Sequence, residues 1–134
     1  PLPFEYASAD GVEPDGFAKR LNSLGLRGVS FSPYFSKKRA GFGGARMKLD
    51  IDRVGDLAAL DVILMGELQR ILTTGGGGVF AGSSNSELDV LYKVYGSDRI
   101  RREIEAGKPG NEIAGSWEAG LKRFRAQRQK YLLY

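Results

Sequence analysis

Between Phe31 and Asp52 the chain gathers Lys37, Lys38, Arg39, Arg46 and Lys48 around Gly41, Gly43 and Gly44, with no acid before Asp50. Basic side chains beside glycine amides suit an anion, whether phosphate, nucleic-acid backbone or carboxylate. The spacing is not that of a nucleotide loop. The pattern G-x-x-x-x-G-K-[ST] is missing, and the dinucleotide fingerprint needs a strand-to-helix turn, whereas these glycines fall between two strand-like runs. The plainer role for them is a hairpin-like connection that uses positive φ. Tyr34, Phe35 and Phe42 flank the charges as base-stacking aromatics would, but no RNA- or DNA-binding signature accompanies them, and nucleic acid is disfavoured as a partner.

Two further groupings invite chemistry. Asp50 and Asp52 lie two apart on one strand-like run, so their Cα atoms are roughly 7 Å apart on one face. Such a pair suits acid–base work or a metal, although capping the next helix and pairing with Lys48 is the simpler role. Ser36 and Lys37 are adjacent, and adjacent side chains diverge in extended backbone, so a serine–lysine nucleophile is excluded. The chain has neither cysteine nor histidine. That removes disulfides, thiol nucleophiles, the usual zinc and copper sites and histidine catalysis. Nothing in the sequence asks for a cofactor or a metal.

These residues need elements to hold them. From Pro14 to Leu24 the apolar Phe17, Leu21 and Leu24 follow helical spacing, with Glu13 and Asp15 at the start and Gly25 past the end. Val29 and Phe31 alternate with Ser30 and Ser32, which predicts a strand closed by Pro33. Met47, Leu49 and Ile51 alternate with Arg46, Lys48, Asp50 and Asp52, a second strand. The basic segment joins the two and is expected exposed at one end of a sheet. Helical spacing returns from Val54 to Leu72, served at its start by Asp52 or Asp56, and Gly75–Gly78 ends it in a surface loop. Ser86–Asp89 reads as a weak capping pattern for a short helix, Ser97 caps another that stops at Gly107, and Pro109 opens the longest helix, with Ile113, Trp117, Leu121, Phe124 and Tyr131 on its stripe. The predicted class is α+β, a small sheet of two or three strands covered on one face by about five helices.

The totals agree with one soluble globular domain: 134 residues, 42% hydrophobic and 27% charged, enough to bury roughly two thirds of the unfolded surface. No apolar run approaches the roughly 18 residues of a membrane span. The net charge of +4 is unevenly placed, with Lys122, Arg123, Arg125, Arg128 and Lys130 crowding the C-terminal end. Leu132, Leu133 and Tyr134 end the chain in apolar character suited to docking on a core or a partner. The first residue is Pro1, with no initiator methionine or signal-peptide pattern before it, and the chain is expected to be a domain of a longer protein.

Four segments occur in a recognisable order: "PFEY", "FSPYFSK…AG…GG", "GSDRIRREIEAG" and "GNEIAGSWEAGLKRFRAQRQKYLLY". With them the chain resembles, over essentially its whole length, the C-terminal domain of the NamZ-like exo-β-N-acetylmuramidases, long described as a domain of unknown function. The resemblance implies a two-domain bacterial glycosidase of the cell envelope, or exported, that releases N-acetylmuramic acid from peptidoglycan fragments. It implies a Rossmann-like N-terminal domain as the partner of this one, with the cleft between them and the catalytic acids on that other domain. No catalytic residue is therefore assigned to this chain, which is expected to complete the cleft and to be inactive alone. Ser36, Lys37, Gly43 and Gly44 fall in the matched stretch and are assigned to substrate binding together with Arg46. Lys37, and after it Arg46, are the candidates to hold the lactyl carboxylate that distinguishes the sugar. The chain departs from the family pattern at Phe42, where cysteine is usual, and at Lys48 or Leu49, where histidine is frequent. The reading from a different class is a non-catalytic basic module that binds an acidic glycan or nucleic acid.

Overall fold

Alternating polarity sorts the sheet residues before packing is considered, with Val29, Phe31, Met47 and Leu49 toward one face and Ser30, Ser32, Arg46 and Lys48 toward the other. The computed structural model describes residues 5–132. Its strands are β1 (Tyr6–Asp10), β2 (Val29–Phe35) and β3 (Phe42–Leu49). Its helices are α1 (Pro14–Ser23), α2 (Leu57–Thr74), α3 (Asn85–Tyr95), α4 (Arg99–Glu105), α5 (Gly110–Gly115) and α6 (Glu118–Arg128), with a 3-10 turn at Gln129–Tyr131. The class is α+β, as expected. The sheet is antiparallel in the order β1-β3-β2, so the third strand is the first in the chain. β1 escapes the polarity pattern because its inward residues, Ala7 and Ala9, are too small to stand out.

Hydrogen bonding assigns the edges. The Met47 amide donates to the Glu5 carbonyl at 2.7 Å, and the Asp50 amide to the Gly28 carbonyl at 2.8 Å. Odd residues of β3 therefore bond β1 and even ones bond β2. Phe31 and Pro33, paired with Met47 and Ala45, turn their backbone groups outward. This is why β2 runs on to Phe35 and is not closed at Pro33: the missing N–H lies on the free edge, where no ladder bond is lost. Asn22 of α1 covers the same edge. Its Nδ2 donates to the Phe31 carbonyl at 2.8 Å and its Oδ1 accepts from the Phe31 amide at 2.9 Å.

Gly43 and Gly44 belong to β3 and not to the connection before it. A Cβ on Gly43 would lie 2.6 Å from the Val12 carbonyl oxygen, and one on Gly44 2.1 Å from that of Ala7. Bare backbone is what lets β1 and the start of α1 close onto this strand. Of the three glycines in the basic segment, Gly41 alone has positive φ, at 77°. β3 also ends sooner than its polarity suggests, at Leu49. Asp50 and Asp52 consequently sit in a turn, where the Asp50 carboxylate accepts from the Asp52 amide, and do not share a strand face. Asp56, accepting from the Ala58 and Ala59 amides, caps α2.

α1 and α2 lie on the apolar face of the sheet. Phe17, Ala18 and Leu21 pack with Phe31, Ala45, Leu60 and Leu68 in one core, while Val62 on another side of α2 joins Ile100, Ile104 and Ile113 in a second. At that second contact Gly66 and Gly110 let α2 and α5 meet backbone to backbone, since a Cβ on Gly110 would stand 2.5 Å from Ile63 Cα. Glu67 ties α1 to α2. Its carboxylate takes Arg20 Nη2 at 2.8 Å, Arg20 Nε at 3.0 Å and Arg70 Nε at 3.2 Å, with its side chain 13% exposed.

Three local expectations change. α3 is capped by Ser84, whose side chain and Glu87 form a reciprocal capping box, and not from Ser86. The single long helix after Pro109 is two, α5 and α6, broken at Ser116 and Trp117; the Ser116 hydroxyl bonds back to the Ile113 carbonyl at 2.7 Å. The glycine run is drawn onto the fold: the buried Gln69 accepts from the Val79 amide at 2.8 Å, and Val79 and Phe80 pack against the cores.

Two measurements check this packing. Gly110→Ala should cost about 1–3 kcal/mol or more by overpacking the crossing, whereas Gly120→Ala, in open helix with nothing within 4 Å, should stabilise by about 0.5–1 kcal/mol; urea titration reads both. Glu67 supplies a pH signature. Burial pushes its carboxyl up, but the hydrogen bonds and charges of Arg20 and Arg70 outweigh that and hold it below the ordinary glutamate value. A depressed folded value means the stabilisation is complete above the unfolded value of about 4.3 and fades as pH falls through the folded one. Glu67→Gln should therefore cost roughly 1–2 kcal/mol at pH 7, and the difference from wild type should close in acid.

Candidate functional site

The face of the sheet turned away from α1 and α2 holds the polar half of each strand. Pairing sets them in rows, Ser30 beside Lys48 and Ser32 beside Arg46 and Tyr6. In the next row Gly44 lies between Ser8 and Tyr34. Gly44 offers no side chain, and the Tyr6 and Tyr34 rings meet near it with centroids 4.3 Å apart. Arg46 leans toward this pair, its guanidinium 6.0 Å from the Tyr6 centroid. Glu5 fixes it from the side, one carboxylate oxygen accepting from Nη2 at 3.0 Å and from Nε at 3.1 Å.

On this face a concavity of about 670 Å³ has Ser30, Ser32, Arg46 and Lys48 on its floor, with Glu5 and Ile51 also contributing. Its chemistry is two cations and two hydroxyls, all exposed, on a rigid strand pair. A planar guanidinium with spare N–H groups, a point-charge amine and two hydroxyl donors suit a polar ligand with a carboxylate. Among the described residues Lys48 has no ion-pair partner, and Arg46 has Glu5 alone.

The sequence-assigned residues separate here. Arg46 is on the concavity. Gly43 and Gly44 are buried inside β3, where they govern how closely β1 and α1 approach. Ser36 and Lys37 lie in the hairpin connection, beyond the Phe42 end of β3 and so more than ~13 Å along the strand from Arg46. Ser36 shapes that connection, its hydroxyl accepting from the Lys38 and Arg39 amides at 3.3 and 3.1 Å. Arg39 pairs with Asp10 and rides 5.3 Å from the Phe42 centroid, which ties the hairpin to the end of β1. Lys37 and Lys38 are exposed and make no ion pair among the described residues. The sequence assignment passed over Ser30, Ser32 and Lys48. Their signal was present, since each is the polar member of a period-two run, but the strand pairing that sets them side by side is not a property of either run.

A second polar grouping sits between helices, where the Tyr95 hydroxyl donates to the Asp61 carboxylate in a hollow also lined by Trp117 and Arg99. Burial, and then the hydrogen bond and charge of Asp61, push the Tyr95 phenol far above its ordinary value. It remains a donor across the physiological range and does not act as a base.

Fold and face together define an α+β domain with a basic, hydroxyl-bearing sheet surface. The chain belongs to the family described as exo-beta-N-acetylmuramidase NamZ, C-terminal, which matches residues 1–134. This bears out the resemblance carried by its motifs. The peptidoglycan beta-N-acetylmuramidase NamZ of Bacillus subtilis is 30% identical over 146 residues, covering 98% of this chain and 32% of that protein. The crystal structure of a DUF1343 family protein from Bacteroides fragilis superimposes with a TM-score of 0.78 at 24% identity, over all of this chain and 36% of its own. The chain thus spans about a third of the length of these relatives. Among the described residues no helix is long and apolar enough to cross a membrane.

Gly44→Ala checks the geometry of the site. It should part β1 from β3 and cost about 1–3 kcal/mol or more, with the loss seen first as faster amide exchange in β1, although no charge is altered.

Proposed function

We propose that this domain forms one wall of the substrate cleft of a peptidoglycan-directed glycoside hydrolase and is inactive alone. The family match to a C-terminal domain and the relatives three times its length support a partner domain that precedes it in the full protein, and the catalytic carboxylates are assigned to that domain. Glycoside hydrolysis needs such acids on both sides of the scissile bond. The substrate is a sugar of the N-acetylmuramic acid type, set apart from N-acetylglucosamine by its lactyl carboxylate.

One observation carries the assignment of this wall. Arg46 already holds a carboxylate, that of Glu5, at 3.0 and 3.1 Å within the concavity. Its remaining N–H groups and the Lys48 amine stand ready for a second carboxylate, and Ser30 and Ser32 face the same space for ring hydroxyls or an amide. Ser36, Lys37, Gly43 and Gly44 enter differently. The two glycines shape the strand, while Lys37 and Ser36 reach a longer glycan only at the far end of the sheet.

The test compares a chromogenic N-acetylmuramide with its N-acetylglucosaminide in the full protein. Arg46→Gln should raise KM for the muramide about tenfold or more, the worth of a charge-assisted hydrogen bond, with kcat little changed and the preference for the muramide reduced. Lys37→Ala should change KM less than twofold. Product released by the 134-residue chain alone, or unchanged sugar preference in the Arg46 variant, would overturn the proposal.

A further inference from the structure

Arg46 is held on two sides, and the holding leaves a definite part of it free. A guanidinium carries five N–H groups in a fixed fork. One oxygen of Glu5, Oε2, accepts from Nε at 3.1 Å and from Nη2 at 3.0 Å, which occupies the side of that fork. The Tyr6 ring lies off its face, with the guanidinium carbon 6.0 Å from the ring centroid. The end of the fork, made by Nη1 and the outer N–H of Nη2, has no bond to any of the described residues.

Glu5 is itself fixed. Its carbonyl accepts from the Met47 amide at 2.7 Å, next to Arg46 along β3, and Tyr6 pairs with Arg46 directly. The Glu5 side chain is 28% exposed against 55% for Arg46. A long side chain that is free in solution gives up rotamer freedom when it binds, whereas one braced in advance has less to lose. Strand pairing thus delivers the brace, and the brace points the open end of the guanidinium away from Glu5.

Charge gives Glu5 a second effect. The concavity is lined by two cations, Arg46 and Lys48, and one carboxylate, Glu5, a net charge of +1. Asp50, just past the strand, is engaged by the Asp52 amide at 3.2 Å. Arg46 and Lys48 are two apart on β3, with Cα atoms roughly 7 Å apart on one face, so one anionic group can lie between them. A single carboxylate neutralises such a site. A phosphate monoester, with close to two charges, brings a surplus that Glu5 repels, although arginine and lysine by themselves suit phosphate as well as carboxylate.

We infer that Glu5 sets the ligand selectivity of the Arg46 concavity: it aims the free end of the guanidinium and cancels one of the two positive charges, which favours a ligand with one carboxylate over a phosphate-bearing one. The inference rests on the proposed function only for the identity of that carboxylate, the lactyl group. Glu5 is a positioning and discriminating residue here and has no part in bond cleavage.

Two small probes test it in the full protein, lactate as the monoanion and methyl phosphate as the dianion at pH 8. Binding is read from the amide shifts of β2 and β3 at low ionic strength, where charge effects are least screened. Across roughly 7 Å of water, one charge removed is worth about threefold on a monoanion and about tenfold on a dianion. Glu5→Gln, which keeps an acceptor for Nε, should therefore tighten lactate about threefold and methyl phosphate about tenfold. Glu5→Asp keeps the charge but is one methylene short of the guanidinium. It should weaken both probes about threefold and leave their ratio unchanged. A purely structural role would move the two probes equally in both variants. Equal changes for the two probes in Glu5→Gln would overturn the inference, as would a ratio that shifts in Glu5→Asp, or no response of Arg46 and Lys48 to lactate in the unsubstituted protein. Sugar preference is read separately: if the probes behave as stated while Arg46→Gln leaves the preference for the muramide intact, the role of Glu5 stands and the proposed substrate falls.

Discussion

The domain depends on α2 having to bury two sides at once. Leu60 and Leu68 lie under the sheet with Phe17 and Leu21, while Val62 packs with Ile100, Ile104 and Ile113 of α4 and α5. A helix wetted on one side would need a single apolar stripe; this one needs two, and from Leu57 to Gly66 only Asp61 interrupts its apolar and small residues. The Gly66–Gly110 approach brings the outer helices close enough for the second core to exclude water. If that approach were lost, α4 and α5 would have no core of their own, and α3, which reaches that core through Tyr95, would lose its attachment.

The helices occupy one side of the sheet, and the other is left to polar residues. Antiparallel sheets tolerate a solvated face, and here that face is uniform in chemistry: hydroxyls from β2, cations from β3, a tyrosine from each edge strand. The edges are treated unequally. Asn22 and Pro33 close the β2 edge, whereas Tyr6 and Ser8 of β1 turn their backbone groups toward the groove beside α2.

Much of this was legible because the signals were local. α1 begins and ends where Glu13, Pro14 and Gly25 indicate, with the Glu13 carboxylate accepting from the Asp15 and Gly16 amides at 2.9 and 2.6 Å. The glycine stop after α2, the two alternating strands and the α+β class follow from spacing in the same way, and the motif series carried the family. β1 was hidden because alanine does not announce a buried position. The long final helix failed at Ser116, where a hydroxyl competing for the backbone is felt only once Ile113 is anchored in a core.

The site divides along the same line. By itself the sequence determined that a basic, glycine-bearing segment lies around two strands, that Arg46 and Lys48 share a strand face, and that this chain contributes no histidine or cysteine. Tertiary structure decided the rest: Gly43 and Gly44 are strand residues pressed by neighbouring backbone, Lys37 lies in the hairpin beyond the strands while Arg46 sits mid-sheet, and Ser30 and Ser32 stand beside the cations. The reason is physical. Periodicity tells which face of a strand a side chain takes, but register, edge and end are set by the partner strand and by helices far along the chain, and no short window of sequence contains them.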